Sequence, residues 1–316
     1  MKHRKKIFFL AILALIFIAL FIFLGINKGN WDYALPKRSL KVLGIVLIGG
    51  SIAFSSIIFQ TITNNRILTP SVLGLDWLYM FIQTFIVFLL GSTNIIVMND
   101  NINFILSVGL MIIFSILLYK MLFKKEQKDI FFLLLVGLIF GTLFQSTSSF
   151  IQMLIDPNEF LVIQDKMFAS FNNINTEILT ISIITIILVI AYIYKYIKVF
   201  DVMSLGKEQA INLGVDYEKI AKRILIVVAI LVSVSTALVG PITFLGILVV
   251  NLAYEFLKTY KHKYLIIGSI LISIIALVGG QLIIERFINF DTTISVIINF
   301  VGGLYFIHLL LKEKNA

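Results

Sequence analysis

The sequence contains no cysteine, only four prolines and only 14% charged residues over its 316 positions. Without cysteine the chain can form no disulfide, no thiolate metal site and no cysteine nucleophile. Ordinary soluble domains carry roughly 25% charged residues, so this chain has too few charges to cover the surface of a soluble globule. These shortages exclude a secreted, nuclear or cytosolic enzyme.

Long hydrophobic runs replace the missing charge. Hydrophobic residues make up 59% of the chain, and they recur in uncharged stretches of about the 20 residues that a helix needs to cross a bilayer. The first stretch, Ile7 to Asn27, follows a basic N-terminus but no small-residue cleavage site follows it, so we interpret it as a retained helix and not as a signal peptide. The sequence predicts an all-α, multi-pass protein of the cell membrane.

The distribution of basic residues between the two faces of the membrane sets the predicted number of spans. The uncharged window from Ile224 to Tyr254 is too long for one crossing and contains the helix-breaking pair Gly240-Pro241. If it crosses twice, about ten spans place 20 of the 26 Lys and Arg residues on the cytoplasmic face and 6 outside. Both termini are then cytoplasmic, and topology explains the net charge of +9 without a nucleic-acid partner. The predicted spans of this single domain (1–316) are about 7–26, 42–62, 70–91, 102–122, 130–151, 177–196, 223–239, 243–257, 264–284 and 292–311.

Clustered ionisable groups, which chemistry in the bilayer requires, are scarce. The acids Asp76 and Glu255 stand alone within predicted spans, and His3, His262 and His308 show no metal-ligand spacing. We expect solvated or pore-edge positions for them, no catalytic residue, and no metal or cofactor bound by this chain. The chain also lacks a G-x-x-x-x-G-K-[ST] phosphate loop, so it hydrolyses no nucleotide by that route.

Uncharged polar residues inside the spans either bond neighbouring helices or line a path. In the cluster from Gln145 to Gln152, polar side chains surround the helix, which favours a vestibule. The path candidates are Ser55, Gln60, Gln145, Ser146, Ser149 and Gln152.

The longest cytoplasmic loop contains a coupling segment, residues 200–222. A short amphipathic helix is predicted from Lys207 to Leu213, ended by Gly214, and a second helix starts with Asp216 as N-cap. A docking surface for a soluble partner and a merely solubilising loop are equally compatible with this pattern.

Three stretches together resemble the FecCD-type family, the permease subunits of iron-siderophore and cobalamin ABC importers. Residues 38–74 resemble its basic pair, its G-x-x-L-A-x-S-G-x-x-x-Q helix and its N-P-L-A-x-P-x-x-L-G turn. Residues 205–215 resemble its coupling segment, and residues 240–249 its G-P-I-x-F-x-G-L-x-V turn. The residues that match these turns are Pro70, Gly74, Gly240, Pro241 and Gly246.

The resemblance implies a cobalamin-importer-like (type II) permease with two ATPase subunits, which hold ATP and magnesium. It also implies a second permease, either a paralogue or a second copy, and a path at the subunit interface. An extracytoplasmic siderophore-binding protein would dock on Arg38, Lys41 and Arg286, which are expected to face water. The residues matching the coupling motif are Leu205, Gly206, Lys207, Glu208, Ala210, Leu213, Gly214 and Val215.

The sequence departs from the family pattern at three places. Val250-Asn251 stands where most members have Pro-His, Leu40 replaces a proline, and residues 292–295 stand near the usual position of E-L-P-x-G. Asn251, together with residues 73–76, resembles the branch that imports catecholate-type ferric siderophores such as petrobactin and anguibactin. A ferric siderophore is therefore the expected cargo; cobalamin or haem import and an ion-coupled secondary transporter are the alternatives.

Overall fold

The computed structural model describes residues 2–26, 29, 31–123, 130–287 and 292–314. Lys28, Lys124, Lys125 and Lys128, which entered the charge count, lie outside the described residues. Fourteen α-helices and one short 3₁₀ turn, Pro70–Leu73, form the described part of the chain. In chain order the helices are α1 (Lys2–Phe23), α2 (Trp31–Thr63), α3 (Leu75–Leu90), α4 (Ile95–Met98), α5 (Asp100–Phe123), α6 (Ile130–Gln152), α7 (Pro157–Met167), α8 (Thr176–Tyr194), α9 (Ile197–Met203), α10 (Lys207–Asn212), α11 (Tyr217–Val239), α12 (Leu245–Leu257), α13 (His262–Phe287) and α14 (Ile294–Lys314).

Eight of the described helices are long and apolar enough to cross a membrane, and α3 and α12 are shorter apolar helices. With 16 and 13 residues, α3 and α12 are about 24 and 20 Å long at 1.5 Å per residue. Both are shorter than the roughly 30 Å hydrocarbon core. A helix therefore lies in each predicted apolar segment, while the number of crossings stays a prediction.

Helix α2 is the centre of the bundle. It packs against α11, α12 and α13, and from Ile45 onwards nearly all of its side chains are buried. Burying apolar side chains against neighbouring helices leaves little of α2 to face lipid. By contrast, α1 buries only 17% of its apolar window and packs mainly along α13.

Several helices continue past the predicted apolar segments. Helix α2 starts at Trp31, before the predicted span begins near residue 42, and α11 starts at Tyr217, directly after the predicted N-cap Asp216. Three short helices, α4, α7 and α9, lie where the sequence analysis placed no helix. For α7 the signal is present: Asp156 accepts a hydrogen bond from Asn158 N, and Pro157 occupies the first helical position, a recognised helix start.

Residues 64–74 lead from the end of α2 back into the bundle before α3 begins. Gly74, with φ of +75°, joins the 3₁₀ turn to α3. A Cβ at Gly74 would lie 2.7 Å from Gly141 Cα, so glycine allows both this backbone conformation and the close approach of α6.

Contacts between helix ends define two ends of the bundle. At the basic end, His3 Nδ1 lies 3.1 Å from Leu257 O, and the hydroxyl group of Tyr217 donates a hydrogen bond of 2.7 Å to Ile62 O. At the opposite end, Arg38 donates to Leu24 O at 2.7 Å, and Ala169 N donates to Ser295 Oγ at 3.0 Å. The coupling segment lies at the basic end.

Candidate functional site

Helix α10 of the coupling segment is a rigid, capped turn on the surface. Its C-terminus forms a Schellman motif: Val215 N donates to Ala210 O at 3.0 Å and Gly214 N to Ile211 O at 2.9 Å. Gly214 has φ of +83°, as this motif requires. The predicted N-cap is also present, since Asp216 Oδ1 accepts from Lys219 N at 3.2 Å.

The surface of α10 exposes large apolar side chains. Leu205 is 57% exposed and Leu213 is 64% exposed, and the sequence analysis missed a third, Ile211, at 49%. Lys207 and Glu208 are exposed beside them, whereas Ala210 is fully buried and anchors α10, which packs against α9 and α11. Helix α10 thus presents apolar side chains from a fixed base, as a docking surface does.

A buried hydrogen-bonded chain connects the coupling segment to the core. Asp201 of α9 accepts hydrogen bonds from His262 N and His262 Nδ1, both at 2.7 Å. On the far side of the ring, His262 Nε2 lies 2.7 Å from Thr61 Oγ1 of α2. His262 is 1% exposed, so the expected solvated position is wrong. These hydrogen bonds join α9, α13 and α2. The sequence does not reveal them, because the three residues are far apart in it.

The path candidates divide into two groups. Ser55 and Gln60 are buried in α2, where Ser55 donates to Ile52 O at 3.0 Å and Gln60 to Arg66 O at 2.7 Å. Both are committed to contacts within the chain, and neither lies on its surface. Gln145, Ser146 and Ser149 instead form an exposed polar stripe along α6. Gln152, half-buried at the end of α6, donates to Thr84 Oγ1 at 3.2 Å.

A cavity of about 20 Å³, with several polar side chains in a largely apolar wall, lies beside α2 inside the bundle. Asp76 Oδ2 accepts a hydrogen bond from Thr243 Oγ1 at 3.2 Å, and Ser55 and Ser56 line the wall. Asp76 is buried, so the solvated position expected for it is wrong, while a pore-edge position stays a prediction. The cavity has room for about one water molecule. Gly246 is in the first turn of α12, where a Cβ would lie 2.1 Å from Ser56 Oγ, so it permits close packing and is not itself a turn residue.

At the opposite end, the three expected docking cations have different environments. Lys41 is 7% exposed and forms an ion pair with Glu285 at 2.7 Å; its Nζ also donates to Asn172 Oδ1 at 2.9 Å. The expectation that Lys41 faces water is therefore wrong. Arg38 is half-buried and caps the last carbonyls of α1. Arg286 is exposed and also donates to Leu24 O.

A second cavity at this end, about 170 Å³, lies beneath α7. Lys166, on its wall, reaches inward and donates to Gln83 Oε1 at 2.9 Å. Burial lowers the pKa of Lys166, while the nearby carboxylate of Asp100 acts in the opposite direction. Gly240 and Asp165 also line this cavity, so the break before Pro241 lies next to a polar space.

The sequence profile of the FecCD transport family matches residues 7–312. This chain belongs to the FecCD transport family. The match covers nearly all of the sequence, so the coupling segment, the α6 stripe and the Gly240-Pro241 break all lie within the family domain.

Curated relatives of this FecCD chain are permease proteins. It is 66% identical over 316 residues to the petrobactin import system permease protein YclO of Bacillus subtilis (strain 168), covering 100% of both chains. It is 34% identical to the petrobactin import system permease protein FatC of Bacillus anthracis, covering 92% of this chain and 82% of FatC. The ferric-anguibactin transport system permease protein FatD of Vibrio anguillarum is 27% identical, with 92% and 90% covered.

A solved structure has the same fold as this FecCD chain. It is an inward-facing conformation of a transporter described as the metal-chelate ABC type, with a TM-score of 0.82 at 19% identity; 98% of this chain and 99% of that chain are covered. The FecCD chain is thus a multi-pass membrane protein with a transport role and an ABC-permease fold.

Proposed function

We propose that this chain is the membrane-spanning permease of an ABC importer that brings a ferric siderophore of the petrobactin class into the cytoplasm. The full-length similarity to a petrobactin import permease carries the cargo proposal, since 66% of the positions are identical. In this proposal the chain binds no nucleotide; ATP and magnesium are held by two partner ATPase subunits, and a second permease completes the path.

Coupling in this proposal passes through α10. The exposed side chains of Leu205, Ile211 and Leu213 seat in an apolar groove of the ATPase. When the ATPases close on ATP, α10 moves with them, and the Asp201–His262–Thr61 chain transmits that movement to α2 and α13. This orientation requires the basic end and both termini to be cytoplasmic, as the positive-inside rule predicts.

The opposite end receives the cargo in this proposal. An extracytoplasmic binding protein delivers the siderophore, and the uncharged stripe of Gln145, Ser146 and Ser149 lines a weakly binding path beside the second permease. Such a path lets a large anionic complex leave again, so specificity resides in the binding protein. Of the three predicted docking cations, exposed Arg286 has the geometry best suited to an acidic partner.

A pair of variants in the coupling segment tests the role of α10. Gly214→Pro removes the N–H that bonds to Ile211 O and cannot adopt a φ of +83°, and Leu213→Asp places a charge on the apolar surface. We expect ATP hydrolysis to persist without iron uptake, while both proteins remain in the membrane. Lys263→Gln, an exposed substitution at the same end, should transport normally; normal uptake by both coupling variants would refute the assignment.

Uptake of radiolabelled substrates, with the label in the iron or, for cobalamin, in the cobalt, identifies the cargo. Cells in which the importer containing this chain is the only importer of its type are given ferric petrobactin, a ferric hydroxamate, cobalamin and haem in turn. The proposal requires ATP-dependent uptake of the catecholate chelate above the others. Preferred uptake of cobalamin or haem would reassign the cargo, and uptake driven by an ion gradient without an ATPase would reject the importer class.

A further inference from the structure

An apolar groove opens between α8 and α11 on the outside of the bundle. Its cavity has a volume of about 290 Å³. Aliphatic side chains form the floor and both walls, and both helices are candidate membrane spans. The aliphatic lining residues are Leu188, Val189, Ile226, Val227 and Ile230. A groove of this kind within the bilayer is shaped to hold a hydrocarbon chain.

Cations and aromatic rings surround the end of the groove that lies at the basic end of the bundle. Arg223 and Tyr192 line it, and Arg223 donates one hydrogen bond to Tyr196 Oη. Lys195 Nζ lies 5.2 Å from the centre of the Tyr192 ring and 5.3 Å from that of Tyr196. Among the described residues, none of the three ion pairs involves Arg223 or Lys195.

These two features match the two halves of one kind of molecule. A guanidinium has five N–H donors in a fork that fits phosphate oxygens, and the hydrogen bond from Arg223 to Tyr196 uses only one of them. Tyrosine rings are enriched at the level of the headgroups, and basic pockets between spans on the cytoplasmic side are suited to acidic lipid headgroups. Water would fill a polar groove, but this one is apolar up to its basic rim.

The geometry points to a binding site for one anionic phospholipid, taken from the membrane leaflet at the basic end. Its phosphate contacts Arg223 and Lys195, and an acyl chain occupies the groove between Val189 and Ile230. The site lies where α8 leads into the coupling segment and where α11 leaves it. A bound lipid would therefore hold together the two helices that carry α9 and α10.

Lipid retention by the purified full-length chain, with the subunits that co-purify, tests the site. The protein is exchanged into detergent with phosphatidylglycerol or phosphatidylcholine of the same acyl chains, and bound lipid is counted by native mass spectrometry. We expect one phosphatidylglycerol per chain in preference to phosphatidylcholine. Arg223→Gln should weaken that binding about fivefold, the effect of one cation near a membrane surface, whereas Lys263→Gln should leave it unchanged.

The groove itself is tested by filling it. Val189→Trp should displace both lipids, while Ile187→Trp, on the same helix but outside the groove lining, should not. Elution at the position of the unmodified protein shows that each variant is folded. Equal retention of the two lipids, or unchanged binding in Arg223→Gln, would overturn the site. So would cross-linking of a second permease through Leu188→Cys in native membranes, because protein would then cover the groove.

Discussion

The buried ion pair between Lys41 and Glu285 shows what single residues contribute. Their side chains are 9% and 10% exposed, and Asn172 and Gln281 complete the network: Gln281 Nε2 donates to Glu285 Oε1 at 3.1 Å. The net contribution of a buried ion pair to stability is small, even with additional hydrogen bonds. Removing only one partner is nevertheless costly, because it leaves an uncompensated buried charge. The network joins the first part of α2 to the last part of α13, which lie side by side at this end of the bundle.

A double-mutant cycle tests this pair. Lys41→Met should destabilise the protein by about 3–5 kcal/mol, the usual cost of an uncompensated buried charge, and adding Glu285→Leu should restore most of that loss. The thermal unfolding midpoint in detergent is the measurement, with Lys37→Met, an exposed lysine of the same helix, as the control. Equal midpoints for Lys41→Met and Lys37→Met would contradict the buried pair.

The Asp201–His262–Thr61 chain makes a different prediction, about transport. Asp201→Ala removes the acceptor of two His262 N–H groups, and a buried donor left unpaired costs about 1–3 kcal/mol. We expect fewer iron complexes imported per ATP hydrolysed, because α9 loses its bond to α13. Asp201→Asn keeps an acceptor oxygen and should retain more of the coupling. An unchanged ratio of uptake to hydrolysis in Asp201→Ala would show that the chain transmits nothing.

At the scale of elements, the apolar segments were predictable and their surroundings were not. Hydrophobic length and the Gly240-Pro241 pair predicted a helix in every apolar segment, including the short α12, because bilayer thickness is a strong constraint on sequence. The extension of α2 to Trp31 and the short helix α9 were not predicted, because both are polar or mixed stretches whose helicity depends on tertiary contacts. Likewise, Lys41 was expected to be exposed because it is charged. Its burial depends on pairing with Glu285, which lies 244 positions away and could not be identified as its partner from the sequence.

The contact between α3 and α6 gives an element-scale prediction. Gly74→Ala places a Cβ 2.7 Å from Gly141 Cα and forces alanine to a φ of +75°; strain and overpacking each cost about 1–3 kcal/mol. We expect less folded protein in the membrane and a lower unfolding midpoint. Gly109→Ala, where a Cβ meets nothing within 4 Å, should be neutral or slightly stabilising. Equal behaviour of the two variants would contradict the close approach.

At the scale of the whole molecule, the described surface of α6 changes character along its length. Leu135, Leu138 and Ile139 are exposed in its first half, whereas the second half exposes Gln145, Ser146 and Ser149 alongside the apolar Leu143 and Phe150. Apolar side chains suit lipid, whereas exposed polar ones at membrane depth need water or another protein. In the proposed importer, the second half of α6 is therefore the surface that meets a water-filled path or the second permease.

The absence of cysteine from the sequence makes that surface directly testable. A single Ser149→Cys in the assembled importer should react with a charged, water-soluble thiol reagent, because the path supplies water. Ile187→Cys, 59% exposed on α8 but facing lipid, should react far more slowly. Equally slow labelling at both positions would place the α6 stripe outside the aqueous path.

The fastening of α1 has a consequence for the order of events during synthesis. Its start is bonded to Leu257, 254 positions later, and its end to Arg286, 262 positions later. At 5–20 residues per second, the ribosome needs on the order of ten to fifty seconds to make those partners. For that time α1 resides in the bilayer without α13, its main packing neighbour. The largely apolar surface of α1 is compatible with lipid during this time. Its docking onto α13 is therefore one of the last steps of assembly.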